Sequence, residues 1–395
     1  MQRIRTAGTR AITVFIGLLL FLGAAFASEN EPPPGKPVLI GASISLKGKY
    51  AETSAMIYKG YRLWQHRINA AGGLLGRPVR IIFQDDGSDP ARVGPIYEEF
   101  IEKDKVDLVL SPYGTPLTLA ATEITEKHHY IMLTSGAAGS SIWDRGFRFV
   151  FGVYSMADRF FLGVLDLMAR NGLKSVAIVY EKSPFCSDVS DGSKNWAERF
   201  GISSVVQLGF DPPGAAIPGI MNKVRQLAPD GLIVAAYPPD CYRMTSWMNH
   251  EGYRPRVLAM SIAPIFPDFL KKAGAVGEGV FTTSQWEPDE RLPFPGTGSF
   301  VADFQAFYGD QPAYHAGTAY ASCQILQRAA EAVGELDQEK MRDYISKLDT
   351  VTVIGRFKVD KAGRQIGHNN FTIQWQDGHK QIVYPTRMQT APPRL

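Results

Sequence analysis

The chain has 395 residues with 45% hydrophobic and 21% charged side chains, and its formal net charge is +3. This composition is that of an ordinary globular protein, and the length exceeds what one hydrophobic core usually supports, so we expect two lobes. Three cysteines in a chain this long exclude a scaffold that depends on disulfides.

The N-terminus has the parts of an export signal. Arg3, Arg5 and Arg10 precede an uncharged apolar run over 11–27, which closes on alanines at 25 and 27. This run is shorter than the roughly 20 residues that span a bilayer. The pattern predicts a signal peptide over 1–27, cleaved after Ala27, and a short linker over 28–37. No cysteine near its end offers a lipid anchor, so we expect a periplasmic protein without a membrane span.

The charge of the expected mature chain argues against some partners. The leader carries three arginines and no acidic residue, which accounts for the whole net charge of +3. The mature chain is then close to neutral, and a neutral chain disfavours binding to nucleic acid or to a membrane surface.

Beyond the linker, short apolar strands alternate with amphipathic helices, a rhythm that predicts a parallel sheet covered on both faces. The first block has predicted strands at 38–40, 79–83, 106–110 and 130–133, and helices at 51–70, from the cap Asp89 onward, and at 116–127. The second block has predicted helices at 158–171, 193–200, 217–227 and 241–251, and strands at 175–180, 205–206, 231–235 and 257–259.

The rhythm changes in the last third of the chain. A loop rich in proline and glycine is predicted over 286–298, followed by helices at 299–308, 316–333 and 337–348 and strands at 356–359, 371–375 and 381–384. Asp377-Gly378 is a hairpin turn signal between the last two strands. The chain is therefore expected to finish by returning to an earlier sheet.

The sequence offers no catalytic signature. A nucleophile elbow, a phosphate-binding loop, a zinc motif and a dinucleotide fingerprint are all missing. Asp85, Asp86 and Asp89 form an acidic cluster, but their spacing does not match a calcium loop, and Asp89 suits a helix cap. We therefore expect no enzyme, no cofactor and no metal site.

The loops at the carboxyl ends of the strands carry the residues suited to a ligand. Those after the third and fourth strands are small and rich in hydroxyl groups, and the first runs into a helix N-terminus, which favours a carboxylate. They contain five candidate binding residues: Tyr113, Thr115, Ser135, Gly136 and Ala138. Ordinary connecting loops have similar compositions, so the pattern leaves that alternative open.

The second block has aromatic residues and two cysteines in the loops that correspond to those of the first block, at the carboxyl ends of its strands. Phe185 and Tyr237 suit a ligand with an apolar body, or they cover the lobe surface. Cys186 and Cys241 are expected on adjacent strand ends, where they either form a disulfide beside the cleft or stay free. Cys323 lies in an apolar helix and is expected to be a buried thiol.

Four segments resemble one known family: VLIGASISLKGKYAE, RINAAGGLLGRPVRIIFQDDGSDP, YIMLTSGAAGSSI and GRFKVDKAGRQIGHNNFTIQWQDG. The chain from about Pro37 to its C-terminus resembles the periplasmic leucine/isoleucine/valine-binding proteins, which are type I solute-binding proteins of ABC transporters. The resemblance implies an α/β fold of two Rossmann-like lobes with parallel-rich sheets, joined by a three-strand hinge. We place the first lobe at 38–155 and 285–353, and the second at 156–284 and 354–395, the latter with the C-terminal tail.

The resemblance also implies roles for single positions. Thr115 falls on the hydroxyl that holds the ligand carboxylate, and Gly136 and Ala138 fall on the adjoining loop, where Ala138 replaces a threonine. Phe185 falls on an aromatic position usually occupied by tyrosine. Two further family positions are an aromatic pair: Pro238 falls where the family has a tyrosine, and His315 or Tyr314 falls near a phenylalanine.

One departure from the family bears on the ligand itself. The acidic residue that binds the ligand's α-amino group in the family falls near Ile262, which is apolar. A buried ammonium without a carboxylate partner is costly. Either Asp240 replaces that acid, or less readily Glu181 or Asp188, or the ligand has no amino group.

The resemblance implies a monomeric protein that captures a small carboxylate and delivers it to the permease subunits of an ABC importer. Branched-chain amino acids are the family default, and an amine-free acid with an apolar or aromatic body is the alternative. Two other functions stay open: a sensor subunit that signals its closure to a receptor, and an exported enzyme acting on a small acid.

Overall fold

The structure is a computed structural model, and it describes residues 35–292 and 294–395. The predicted signal peptide over 1–27 lies outside these ranges. The strands are, in chain order, β1 (Val38–Ile44), β2 (Val79–Asp85), β3 (Leu108–Leu110), β4 (Met132–Thr134), β5 (Val150–Gly152), β6 (Ser175–Glu181), β7 (Ser204–Phe210), β8 (Gly231–Ala235), β9 (Val257–Met260), β10 (Phe281–Ser284), β11 (Thr350–Thr352), β12 (Gly355–Phe357), β13 (Phe371–Gln376) and β14 (His379–Tyr384). The helices are α1 (Ala51–Ala70), α2 (Pro90–Glu102), α3 (Thr115–Lys127), α4 (Leu162–Arg170), α5 (Pro184–Arg199), α6 (Ile217–Leu227), α7 (Pro238–Glu251), α8 (Phe269–Ala273), α9 (Thr297–Tyr308), α10 (Tyr314–Val333) and α11 (Gln338–Ile345).

The first lobe is built on short parallel strands. β1 lies between β2 and β3, and Ile40 is opposite both Ile81 and Leu108, while β4 pairs in parallel with β5. The helices α9 to α11 return to this lobe, where the Tyr308 hydroxyl donates to the Lys59 carbonyl of α1 at 3.1 Å. A Cβ at Gly60 would lie 2.3 Å from a carbonyl oxygen of α10, so glycine there permits the close approach of the two helices.

The second lobe contains a seven-stranded sheet in the order β14-β13-β10-β9-β8-β6-β7. The strands β6 to β10 run parallel, and β13 and β14 add an antiparallel hairpin to the edge. Alternate residues of one strand pack into different apolar clusters: Val176 and Ile178 face α4 and α5, whereas Ala177 and Val179 face α6, α7 and α8. The two helical layers therefore cover opposite faces of this sheet.

Three segments connect the lobes, namely 153–161, 285–296 and 358–370, and they also contact one another. The Ser155 amide donates to the Gln285 side chain at 2.9 Å, which joins the first segment to the second. The Gln365 amide group donates to the Val153 carbonyl at 3.4 Å, which joins the third to the first. This arrangement of two lobes, each with parallel-rich sheets, and three connections between them confirms the predicted fold class.

Several elements differ in detail from the predicted ones. The strands β5, β10 and β11, of three or four residues each, were not predicted from the sequence. The helices α5 and α7 begin at Pro184 and Pro238, earlier than predicted, since proline is well suited to the first turn of a helix. Asp89 caps α2 as predicted, accepting from the Ala91 amide at 2.9 Å.

None of the helices in the described ranges is both long and apolar enough to cross a membrane. Asp86, in the acidic cluster, is buried and accepts hydrogen bonds from the Ser43 and Ser45 hydroxyls at 2.7 and 2.5 Å. Within the same ranges no group of three or more histidine, cysteine or acidic side chains is arranged to hold a metal ion.

Candidate ligand-binding site

A cavity lies between the lobes at the carboxyl ends of their parallel strands. It is lined by Tyr113, Gly114, Thr115, Gly136, Ala138, Tyr154, Phe160, Phe185, Tyr237, Ile262, Tyr314 and His315. The lobes are closed so far that its free volume is only about 10 Å³, roughly what one water molecule requires. In this closed form the cleft has no room for a ligand larger than a water molecule.

Thr115 supplies the polar end of the cleft from the first lobe. Its Oγ1 accepts a hydrogen bond from the Gly139 amide at 3.1 Å, and this leaves the hydroxyl hydrogen available to donate to an anion. Thr115 is also the first residue of α3, which has no side-chain cap. The partial positive charge of this helix end adds to the preference for a carboxylate.

The loop after β4 is shaped by close packing. A Cβ at Gly136 would lie 2.8 Å from Cδ2 of Tyr113, so glycine lets the tyrosine ring lie against the loop. The Gly136 carbonyl accepts from the Gly114 amide at 3.0 Å, and the Ala138 carbonyl accepts from the Ala157 amide at 3.0 Å. These bonds fix the loop to the start of α3 and to the first connection between the lobes.

Aromatic rings form most of the remaining wall. The Phe185 ring lies 5.1 Å from Phe160 and 5.9 Å from Tyr237, and the Tyr113 ring lies 5.3 Å from His315. Burial raises the pKa of Tyr113 and Tyr237 well above the usual range, so both phenols stay neutral. The wall therefore suits the apolar or aromatic body of a ligand.

Among the described residues, two polar atoms in this wall find no hydrogen-bond partner. They are the Tyr237 hydroxyl and Nδ1 of His315, both buried. Burial lowers the pKa of His315 well below its usual range, so the ring is neutral. An unsatisfied buried group costs about 1–3 kcal/mol, and a ligand that bonds to these atoms would recover this free energy.

In the part of the chain that the structure describes, no residue lining the cleft carries a carboxylate or an ammonium group. At the family's acidic position, Ile262 is only 3% exposed and contributes an apolar side chain. Asp188 is directed at the Ser140 amide, from which it accepts a hydrogen bond at 2.7 Å. The cleft interior is therefore neutral, with hydrogen-bond donors but no anion.

The prediction that Asp240 replaces the missing acid is wrong. Asp240 lies in the first turn of α7 and binds Arg243 at 2.7 Å, and its Oδ1 lies 2.6 Å from where a Cβ of Gly214 would be. Because α7 begins at Pro238, this side chain points to the loop around Gly214 and not into the cleft.

Glu181 is buried but forms an ion pair away from the cleft lining. Its Oε1 lies 2.6 Å from Nζ of Lys49, which comes from the first lobe. The Lys49 ammonium also lies 4.7 Å from the centre of the Tyr237 ring. Oε2 of Glu181 has no hydrogen-bond partner, but the neighbouring position is already occupied by the protein's own ammonium group.

Two further site predictions require correction. The Ser135 hydroxyl bonds to Tyr61 and Ser322 at 2.7 Å each, so it serves the core of the first lobe and does not line the cleft. Cys186 and Cys241 are free thiols and form no disulfide. They belong to the apolar clusters on opposite faces of the seven-stranded sheet, so the sheet lies between them.

Seven of the nine predicted binding residues line the cleft: Tyr113, Thr115, Gly136, Ala138, Phe185, Tyr237 and His315. Gly114, Tyr154 and Phe160 also line it but are not among the predicted residues. Tyr154 lies on the first connection between the lobes, outside every predicted element. Phe160 falls inside the predicted helix at 158–171, but α4 begins only at Leu162, and Phe160 lies on the connection before it. Gly114 could have been inferred, since it directly precedes Thr115.

Comparison with known proteins agrees with this architecture. The family model of periplasmic binding proteins matches residues 37–380. A Leu/Ile/Val-binding protein homolog from Brucella suis is 23% identical over 405 residues, covering 95% of this chain and 97% of that protein. The structure of a leucine-binding protein from Thermotoga maritima has a TM-score of 0.80 at 19% identity, covering 87% of this chain and 97% of that one.

A second solved structure is that of a solute-binding protein of an ABC transporter from Rhodopseudomonas palustris, in complex with 3,4-dihydroxybenzoic acid. Its TM-score is 0.76 at 19% identity, and the alignment covers 87% of this chain and 95% of that one. At these identities the solved structures show a shared fold. The match to the family model extends over most of the chain and confirms the resemblance seen in the sequence, so the chain belongs to the periplasmic binding protein family.

Proposed function

We propose that this protein is the solute-binding component of an ABC importer and that its ligand is a small carboxylate with an apolar or aromatic body and no amino group. The observation that carries the proposal is the neutral cleft, which has the Thr115 hydroxyl and the start of α3 at its polar end and no carboxylate in its lining. A zwitterionic amino acid would leave its ammonium group buried without a partner, which costs several kcal/mol.

The proposed cycle needs opening and closing of the lobes. Contacts that cross the cleft stabilise the closed form, among them the bond from the Ser140 amide to Asp188 at 2.7 Å and the ion pair of Lys272 with Glu52 at 2.5 Å. Rotation about the three connections would open the cleft, admit the solute, and allow closure around it. The closed protein would then dock on the permease as a monomer in the periplasm.

Some relatives support the transport function, and one supports the amine-free ligand. The leucine-binding protein and the Leu/Ile/Val-binding homolog indicate amino-acid transport. The Rhodopseudomonas protein shows that the same fold holds an aromatic acid without an amino group. Ile262 at the amine-binding position favours the second kind of ligand for this chain.

Matched pairs of ligands test the proposal directly. Thermal unfolding of the protein from Ser28 onward would be followed with leucine against 4-methyl-2-oxopentanoate, and with phenylalanine against 3-phenylpropanoate. A ligand at about 100 times its Kd adds about 2.7 kcal/mol to the free energy of unfolding. We expect the melting temperature to rise by a few degrees with the amine-free member of a pair only. A rise confined to the amino acids would refute the amine-free ligand.

Two substitutions test whether the ligand binds in the cleft at Thr115. Thr115→Val removes the hydroxyl donor while keeping the side-chain shape, and we expect about 10- to 100-fold weaker binding, the range for a hydrogen bond to a charged group. Thr125→Val is the matched control, since Thr125 is buried in the same helix and its hydroxyl has only a 3.5 Å bond to the Thr122 carbonyl. Equal losses in both variants would show that Thr115 does not contact the ligand.

A further inference from the structure

A second and much larger cavity lies where the three connections between the lobes meet. We call it the hinge groove. Its volume is about 700 Å³, within the range of small-molecule sites. Arg159 comes from the first connection, Phe294 from the second, and His368 and Asn370 from the third. The groove is therefore built by the segments about which the lobes would rotate.

The hinge groove is electropositive. Its lining includes Arg159, Arg356 and Arg387 and contains no acidic residue. Arg356 is balanced by Asp349, with two bonds at 2.7 and 2.5 Å. Within the described ranges Arg159 and Arg387 form no ion pair, and Arg159 donates only a long bond of 3.4 Å to Asn369. Two positive charges are thus available to an anion.

Polar atoms at the base of the groove also lack partners. Both polar side-chain atoms of Asn370 and Nε2 of His368 are buried and form no hydrogen bond within the described ranges. Nδ1 of His368 lies 3.0 Å from the Arg356 carbonyl, and a carbonyl only accepts, so Nδ1 carries the proton. Burial lowers the pKa of His368, and in the neutral ring Nε2 is then a hydrogen-bond acceptor. It suits a ligand hydroxyl.

The remaining walls are aromatic. Trp196 from α5, Phe371 from β13, Tyr384 from β14 and Phe294 supply rings around the polar base. A flat ring packs well between such walls, and the adjacent arginines add electrostatic attraction. Phe160 lines both the hinge groove and the cleft, so one side chain forms part of the wall between the two sites.

We propose that the hinge groove is a second ligand site, separate from the cleft, which binds an aromatic hydroxycarboxylate. Arg159 and Arg387 bind the carboxylate, and the aromatic walls hold the ring. Nε2 of His368 accepts a hydrogen bond from the ligand hydroxyl, and the Asn370 amide nitrogen donates to the hydroxyl oxygen. Because all three connections line the site, rotation of the lobes changes its shape, and its occupancy is coupled to their opening and closing.

The test uses tryptophan fluorine signals. Protein labelled with 5-fluorotryptophan gives one resonance for each of its six tryptophans, and Trp196→Phe identifies the resonance of Trp196. The probe is 4-hydroxybenzoate, and 4-hydroxybenzamide is its uncharged control. We expect a saturable shift of the Trp196 resonance with the acid and none with the amide.

Variants separate the two sites. Replacing Arg159 and Arg387 together by glutamine should raise the midpoint of the Trp196 titration roughly tenfold, since exposed charge pairs contribute up to about fivefold each. Arg80→Gln, an exposed arginine on β2 without an ion pair among the described residues, should leave it unchanged. Thr115→Val should keep a saturable Trp196 shift, because the groove does not use the Thr115 hydroxyl, although the midpoint moves if the acid also occupies the cleft.

Three results would overturn the proposal. The Trp196 resonance could stay fixed up to the solubility limit of the acid, or it could move equally with the amide. The double arginine variant could titrate like the unmodified protein. Loss of the shift in Thr115→Val would place the response in the cleft, and the groove would then have no ligand of this class.

Discussion

The ion pair of Lys49 with Glu181 offers the sharpest test of how the closed form is stabilised. Glu181 is fully buried at the end of β6, and Lys49 reaches it from the loop before α1, with Nζ 2.6 Å from Oε1. The pair therefore spans the two lobes. Lys49→Met keeps most of the side-chain stem and removes the charge, which leaves the Glu181 carboxylate buried alone.

The structure sets the size of the effect. Removing one partner of a fully buried pair costs about 3–5 kcal/mol. Lys49 is 30% exposed, so water already weakens the interaction, and we expect about 2 kcal/mol, between the buried and the exposed limits. The cost falls on the closed form, because Glu181 regains water when the lobes separate. A change of about 2 kcal/mol is roughly 30-fold in the equilibrium, so apparent ligand affinity falls by up to that factor.

Calorimetric titration with the ligand found for the cleft measures this affinity, and small-angle scattering of the ligand-free protein measures the opening. Lys272→Met is the matched control, because its pair with Glu52 also joins the lobes but both side chains are about one-third exposed, at 38% and 34%. It should cost less than about 1 kcal/mol. The double variant with Glu181→Gln removes the buried charge and should bind better than Lys49→Met alone. Equal affinities of the single and double variants would refute the reasoning.

Three further predictions concern packing, protonation and thiols. Gly136→Ala places a Cβ 2.8 Å from Tyr113 and should lower the free energy of unfolding by about 1–3 kcal/mol. Gly219→Ala in α6, where a Cβ would have no atom within 4 Å, should leave the free energy of unfolding unchanged or raise it. Urea denaturation of both variants measures these changes. Burial holds the pKa of His315 below its usual 6.5, so the unfolded chain binds the proton first and stability falls as pH drops below about 6.5, by up to about 1.4 kcal/mol per pH unit. Denaturation at pH 5, 6 and 7 should show a shallower slope in His315→Gln, and an unchanged slope would contradict the assignment. The three buried cysteines should react with a thiol reagent only after unfolding, and all three should then react. A disulfide would leave only one reactive thiol.

The α/β architecture could be predicted because its signals are local. Apolar strand runs and the glycines that end helices recur along the chain, and the loops after β3 and β4 follow from the rule that ligands bind at the carboxyl ends of strands. Thr115 and Phe185 were identified as site residues on that basis together with the family resemblance, and both line the cleft.

The failures arose where side-chain direction decides the result. Asp240 follows two prolines that begin α7 early, and a helix turns each successive residue by about 100°, so the position lay near the cleft while its side chain pointed elsewhere. Cys186 and Cys241 follow neighbouring strands, but their helices cover opposite faces of the sheet. Sequence spacing specifies neither the direction of a side chain nor the face of the sheet that a helix covers.

The charge distribution around the cleft gives a second reason, besides Ile262, to expect an amine-free ligand. In a site for an amino acid, one buried carboxylate has to form an ion pair with the ligand ammonium. Here the fully buried carboxylate of Glu181 is paired with Lys49, an ammonium from the protein itself that lies against the Tyr237 ring. The internal pair supplies the charge balance that a ligand amine would otherwise supply, and it does so across the lobes. Closure and ligand class are thereby linked, because the amine of an amino acid that used Glu181 would compete with Lys49 for the same carboxylate and weaken a contact that holds the closed form.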